Sequence, residues 1–250
     1  MELREYFHLA LLHALGSRLA GRGWAVKGGT CLRFFHRSPR FSEDMDLDAE
    51  PRIRVETLHR GMETVLASRA FTAMLATRGI TRLETSAPKQ TATVQRWKIA
   101  LHAGGTRPVT TKVEFSRRRG TLPFTGGIPA AGVLERHALP PFAAQFYPPE
   151  EMARQKIAAM AAVSRHAVRD LFDLDHLFTT LRVAPAAVRP GLARTETRAA
   201  LRKADAFSHR DFREEVLPFL EESLARLYGH ADAFERLKDR VRQALTGLAG

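Results

Sequence analysis

The chain has 250 residues, 44% of them hydrophobic, which is enough for one large domain or two small ones with a real core. No run of eighteen apolar residues occurs, and MELREYFHLALLHALG breaks its apolar stripe with acids, histidines and an arginine, so neither a membrane span nor a signal-peptide core is expected. The formal charge of +12 suits a polyanionic partner, although the arginine and alanine bias of a GC-rich genome gives the same balance; the single cysteine, Cys31, excludes an internal disulfide and fits the cytoplasm.

Taken in chain order, Leu3, Phe7, Leu11, Leu12, Leu15 and Leu19 lie close to helical spacing over residues 2–20, and the pattern stops at Gly21 and Gly23. Trp24-Ala25-Val26 reads as a short strand running into Gly28-Gly29-Thr30. A short helix through Cys31, Leu32, Phe34 and Phe35 follows and breaks at Pro39. Asp44-Met45-Asp46-Leu47-Asp48 alternates acid and apolar residue as a half-buried strand does, so Met45 and Leu47 face one way and the acids the other.

A helix is expected over about 53–69, and then a hairpin of residues 91–103 and 109–116 joined by Gly104-Gly105. In its second run Val109, Thr111, Val113 and Phe115 share one face, which puts Glu114 on the polar face with Thr110, Lys112 and Ser116. Residues 117–149, rich in Gly and Pro, read as irregular connection and a boundary. Helices follow in EEMARQKIAAMAAV, VRDLFDLDHLFTTL, REEVLPFLEESLARLYG and ADAFERLKDRVRQALTG, with no internal repeat or low-complexity tract. The expected architecture is α+β, with a core over 1–145 and a helical domain over 146–250.

The stretch Lys27–Asp48 combines the two things nucleotidyl transfer needs. Backbone N–H groups at a glycine turn and helix start can hold phosphate oxygens, and the Thr30 hydroxyl can donate to one. Hard carboxylates can hold Mg²⁺: Asp44 and Asp46, one residue apart on a strand, project from one face and could share two ions, with Glu114 from a neighbouring strand as the third ligand or as general base.

These residues resemble the AbiEii/AbiGii-type toxin nucleotidyltransferases, a branch of the DNA polymerase β-like superfamily, over most of the chain. The resemblance rests on Gly28-Gly29-Thr30, Arg40-Phe41-Ser42, Asp44-Met45-Asp46 and the TKVEFS strand carrying Glu114. It rests also on Lys156 followed by Arg169-Asp170-Leu171-Phe172-Asp173-Leu174.

The resemblance implies a polymerase β-like core with a mixed sheet, and a helical domain closing a nucleotide cleft. It implies phosphates bound by Gly28, Gly29, Thr30, Arg40, Ser42 and Lys156, and Mg²⁺, two ions, on Asp44, Asp46 and Glu114. One of Asp170 and Asp173 is to complete or brace the site; a helix-start position favours Asp170, and the sequence leaves Asp173 open. A nucleoside triphosphate substrate, an RNA acceptor such as the tRNA 3′ end, a cognate antitoxin and a toxin or phage-defence role are implied as well. Asp48 departs from the pattern as a third acid and reads as the solvated end of its strand.

Each feature has a plainer reading. Gly104-Gly105-Thr106 repeats the triplet and Gly126-Gly127 the pair without an Asp-x-Asp strand behind them, and they read as a turn and a loop. Glu114 could pair across strands with an arginine. Lys156 alone would be an exposed helix residue, and Asp173 a surface acid. Arg117-Arg118-Arg119 is either a solvated loop or a contact for acceptor phosphates.

The ten histidines lack zinc-ligand spacing, and no P-loop, dinucleotide or hydrolase motif occurs. Two rivals remain: the same chemistry on a small-molecule hydroxyl, against which +12 argues, and a non-catalytic RNA- or partner-binding module of the same fold, against which the intact acid set argues.

Overall fold

A computed structural model describes residues 1–19, 23–164 and 166–249. The expected stop at Gly21 lies outside these. The chain divides into two compact units, Met1–Arg37 with Phe41–Tyr147 and Ser38–Arg40 with Pro148–Gly250.

The first unit is built on a mixed seven-stranded sheet. Its strands are β1 (Trp24–Lys27), β2 (Met45–Ala49), β3 (Arg82–Gln90), β4 (Val94–His102), β5 (Val109–Ser116), β6 (Thr125–Gly127) and β7 (Ala144–Phe146), in the order β3-β4-β5-β2-β1-β7-β6. Strands β2 and β5 are parallel, as are β1 and β7, and the remaining neighbours are antiparallel. Its helices are α1 (Glu2–Arg18), α2 (Gly28–Phe35), α3 (Val55–Leu66), α4 (Arg69–Ala76) and α5 (Ala131–Arg136).

Strand alternation divides this sheet by chemistry. Val26, Met45, Leu47, Trp97, Ile99, Leu101, Val113 and Phe115 are all buried on one face, where Trp97 and Trp24 meet the Phe115 ring edge-on. Here α1 supplies Phe7, Leu11, Leu12 and Leu15, and the Trp97 indole donates to Glu63 of α3. His8 on α1 is buried among these groups, bonded at 2.7 Å to the Thr111 hydroxyl, which gives its own proton to the Glu43 carbonyl. The imidazole is therefore the donor, neutral, and burial lowers its pKa to about 4. The opposite face carries Lys27, Asp46, Arg96, Lys98, Lys112 and Glu114.

Some local expectations change. Helix 53–69 is α3 followed by a separate α4 capped by Ser68. The irregular stretch 117–149 contains α5 and the two short strands that extend the sheet past β1, so Gly126-Gly127 belongs to β6 and is not a loop. Gly104, at φ +76°, does turn the β4–β5 hairpin.

The second unit is helical: α6 (Pro149–Ala161), α7 (Arg169–Asp175) running into one wide turn His176–Thr180, α8 (Pro185–Val188), α9 (Arg194–Ala206), α10 (His209–Glu215), α11 (Glu222–Tyr228) and α12 (Ala231–Ala249). The expected single helix REEVLPFLEESLARLYG is broken around Pro218, which cannot continue an α-helical ladder. Phe212 and Tyr228 pack against Phe172 and each other, and Phe234 packs on Phe212.

Candidate active site

The parallel pairing of β2 with β5 sets Asp46 directly opposite Glu114, and the antiparallel pairing of β1 with β2 sets Lys27 opposite Asp46. A row of charge thus crosses the polar face as Arg96, Glu114, Asp46 and Lys27. Asp44 precedes β2 by one position. Burial pushes the Asp46 carboxyl above the usual carboxylate range; Lys112 and Lys27 oppose this, while the Asp44 and Glu114 carboxylates add to it.

The backbone beside Asp46 is built around Gly28. Its φ of +69° lies in the left-handed region, and a Cβ there would stand 3.4 Å from Asp46 Oδ2, so the main chain turns out of β1 against the carboxylate and straight into α2. The first turn of α2 has no side-chain cap, which leaves its N–H groups to an anion. Gly29 is the second residue of that turn.

Thr30 and Ser42 converge on a single atom. The Thr30 hydroxyl donates at 2.7 Å and the Ser42 hydroxyl at 2.9 Å to the Asp44 carbonyl, and Thr30 is buried. Both hydroxyls, including that of Thr30 expected at a phosphate oxygen, thus clamp the backbone of a carboxylate.

Two of the three acids hold cations of the chain itself. Lys112 Nζ lies 2.9 Å from Asp44 Oδ2, its backbone N–H donates to Asp44 Oδ1 at 3.1 Å, and Arg96 reaches Glu114 at 2.6 Å. Burial would lower the Lys112 pKa, but its bond to Asp44 and the field of all three carboxylates hold it above the ordinary lysine value. Among the described residues no three acid, histidine or cysteine side chains stand at metal-ligating spacing. The donor set is chemically right for a hard divalent cation, and a buried carboxyl raised by burial and by two neighbouring carboxylates, as Asp46 is, is what such a cation offsets.

Asp48 is not a solvated strand end. It is 2% exposed, takes Lys27 Nζ at 2.6 Å and accepts from the Tyr147 hydroxyl at 2.9 Å. Nor is Arg117 solvated: it is buried and donates to the carbonyls of Ala92, Pro51 and Ile53, pinning the end of β5. Lys112 and Arg96 went unassigned in the sequence, although the alternation of TKVEFS already puts Lys112 on the face of Glu114.

The second unit holds its own charged cluster. The Arg40 guanidinium grips Asp173 with two bonds, Nε to Oδ1 at 2.9 Å and Nη2 to Oδ2 at 2.8 Å. Lys156 reaches Asp170 at 2.8 Å and Asp173 at 2.5 Å. All four are buried and both aspartates are 0% exposed, so Lys156 is no surface lysine and Asp173 no surface acid. Burial would lower the Lys156 and Arg40 pKa values, but the aspartates override it and raise both; burial would raise Asp173, but Arg40 and Lys156 hold it well below the usual range.

Residues 10–246 match the family described as Nucleotidyl transferase AbiEii toxin, Type IV TA system. Among solved structures, a putative nucleotidyltransferase from H. pylori shares 19% identity at a TM-score of 0.57, covering 96% of each chain. JHP933 from Helicobacter pylori shares 18% at 0.56, covering 96% of this chain and 92% of its own. MenT4, a nucleotidyltransferase toxin from Mycobacterium tuberculosis, shares 18% at 0.57, covering 98% and 92%. At these identities the likeness is one of fold. No curated protein matches the sequence. Among the described residues no helix is long and apolar enough to cross a membrane.

Proposed function

The chain belongs to the AbiEii family of nucleotidyltransferase toxins of type IV toxin–antitoxin systems, and from that premise we propose that it transfers a nucleotide from a nucleoside triphosphate to an RNA hydroxyl, such as the tRNA 3′ end, at the Asp44, Asp46 and Glu114 edge. The observation that carries this is the register of Asp46 against Glu114 beside the uncapped first turn of α2. Magnesium held by the three carboxylates would supply Lewis acidity at the α-phosphate and lower the pKa of the acceptor hydroxyl.

The chain's own residues do the rest. N–H groups of Gly28 and Gly29 bind phosphate oxygens, and Thr30 and Ser42 fix Asp44 through its carbonyl. Lys112 and Arg96 neutralise Asp44 and Glu114 and offset phosphate charge once those carboxylates are engaged. The acceptor oxygen bonds to the α-phosphorus, the bond to the bridging oxygen breaks, pyrophosphate leaves and the hydroxyl proton passes to solvent. The quartet of Arg40, Lys156, Asp170 and Asp173 carries no net charge and braces the helical unit. A cytoplasmic setting and a cognate antitoxin accompany this reading.

The test is incubation of the purified chain with Mg²⁺, total RNA and each labelled nucleoside triphosphate in turn. Label enters RNA from one triphosphate, EDTA abolishes it and added Mg²⁺ restores it. Absence of label in RNA with all four triphosphates, or label confined to a small-molecule acceptor, contradicts the proposal.

A further inference from the structure

From Asp44 a groove of about 660 Å³ runs out over the polar face of β5, β4 and β3, past Lys112, Thr110, Lys98 and Ser86. The volume lies within the roughly 300–1,000 Å³ of ligand clefts. Lys98 on β4 stands directly opposite Lys112 on β5, and Ser86 on β3 stands opposite Lys98. Like charges directly opposite on antiparallel strands have Cβ atoms about 4.5–5.5 Å apart and repel.

The acids that line the groove are already paired. Asp44 takes Lys112, Glu43 takes Arg4 at 3.7 Å, and Glu84 takes Arg82 and His102. Lys98 is exposed, and among the described residues no carboxylate lies within salt-bridge distance of it. The unbalanced charge in the groove is therefore positive and sits one strand beyond the catalytic carboxylates. Among the described residues no aromatic side chain lines the groove, so it offers ammonium and hydroxyl groups to an anion and no stacking platform to a base.

We propose that this groove is the acceptor track, in which a single-stranded RNA with its 3′-hydroxyl at Asp44 lays phosphodiester groups between Lys112 and Lys98. The assignment rests on the transferase reading above and adds where the acceptor lies and which part of it is recognised. An anion between the two ammonium groups removes their repulsion, and a chain crossing β4 and β5 presents its terminal hydroxyl to the carboxylate end. Contacts to phosphate fix position without reading sequence, so the acceptor is held alike whatever its terminal bases.

The test uses the full chain and a short 5′-labelled single-stranded RNA in two unrelated sequences, titrated by fluorescence anisotropy over a range of salt. Lys98→Ala weakens both RNAs several-fold and by equal factors, and reduces the slope of log affinity against log salt by about 0.7, the single-strand value for one phosphate. Lys98→Glu weakens them further, while nucleoside triphosphate binding stays unchanged in both variants and the melting temperature holds or rises slightly as the repulsion from Lys112 is removed. If the wild type labels RNA but both Lys98 variants keep its RNA affinity and salt slope, the track is wrong and the transferase reading stands. If the wild type neither binds nor labels RNA, both fall together.

Discussion

Asp173→Ala lowers the stability of the chain by about 3–5 kcal/mol, the range for leaving a buried charge without its partner, and the melting temperature by about 10 °C or more. The variant removes both bonds of the Asp173 carboxylate to the Arg40 fork and its ion pair with Lys156, all inside a site where neither aspartate is exposed. A double replacement, Arg40→Met with Asp173→Leu, recovers much of the loss, because two well-packed apolar side chains need no partner.

The acid limb follows the same logic. A carboxyl whose folded pKa is depressed contributes stability that is full above its unfolded value, about 3.9, and that is lost as pH falls through the folded value. Arg40 and Lys156 depress Asp173 against the effect of burial, so the wild type loses this contribution below about pH 4 and Asp173→Ala, which has already lost it, does not. Thermal melts from pH 7 down to pH 3 measure both.

Asp46→Asn acts the other way, on activity and not on fold. Nucleotide transfer falls by about 10²–10³-fold or more, the range for removing one transition-state contact of this kind. The melting temperature at pH 7 holds or rises slightly. Burial raises the Asp46 pKa, so its ionised form costs stability; the cost is full above the folded pKa and vanishes below the unfolded one. Asparagine removes it. Transfer rates and melting curves from the same preparations separate the two effects; a variant that unfolds as it loses activity contradicts this account.

What could be read in the sequence follows from burial on one face. The β2 and β5 strands were legible because apolar residues alternate with polar ones in DMDLD and, but for Thr111, in VTTKVEFS, and that alternation also put Glu114 on the polar face. Strand β3 was not legible, since RLETSAPKQ is an edge strand with no buried face, and its bulge between Ser86 and Lys89 accommodates Pro88. Strands β6 and β7 are three residues each, too short for any period. Helix α9 was hidden because its buried stripe is Thr197, Ala200 and Ala204, small residues in an otherwise charged segment.

For the site, composition along the chain named the acids but not their partners. The ion pairs of Asp44 with Lys112, Glu114 with Arg96 and Arg40 with Asp173 join positions that only strand register or helix packing brings together. Asp48 misled for the same reason: its partners Lys27 and Tyr147 come from elsewhere in the fold. The hydroxyls of Thr30 and Ser42 are local in sequence, yet their common acceptor is a backbone atom, which no side-chain pattern reveals.

In the proposed reading Asp44, Asp46 and Glu114 act together on a divalent cation. Manganese(II), which suits carboxylate sites and is detectable by electron paramagnetic resonance, tests it without reference to turnover. Titrated into the wild type, it binds, and Asp46→Asn and Glu114→Gln each weaken that binding at least about tenfold. Equal manganese affinity in the wild type and in both folded variants contradicts the claim.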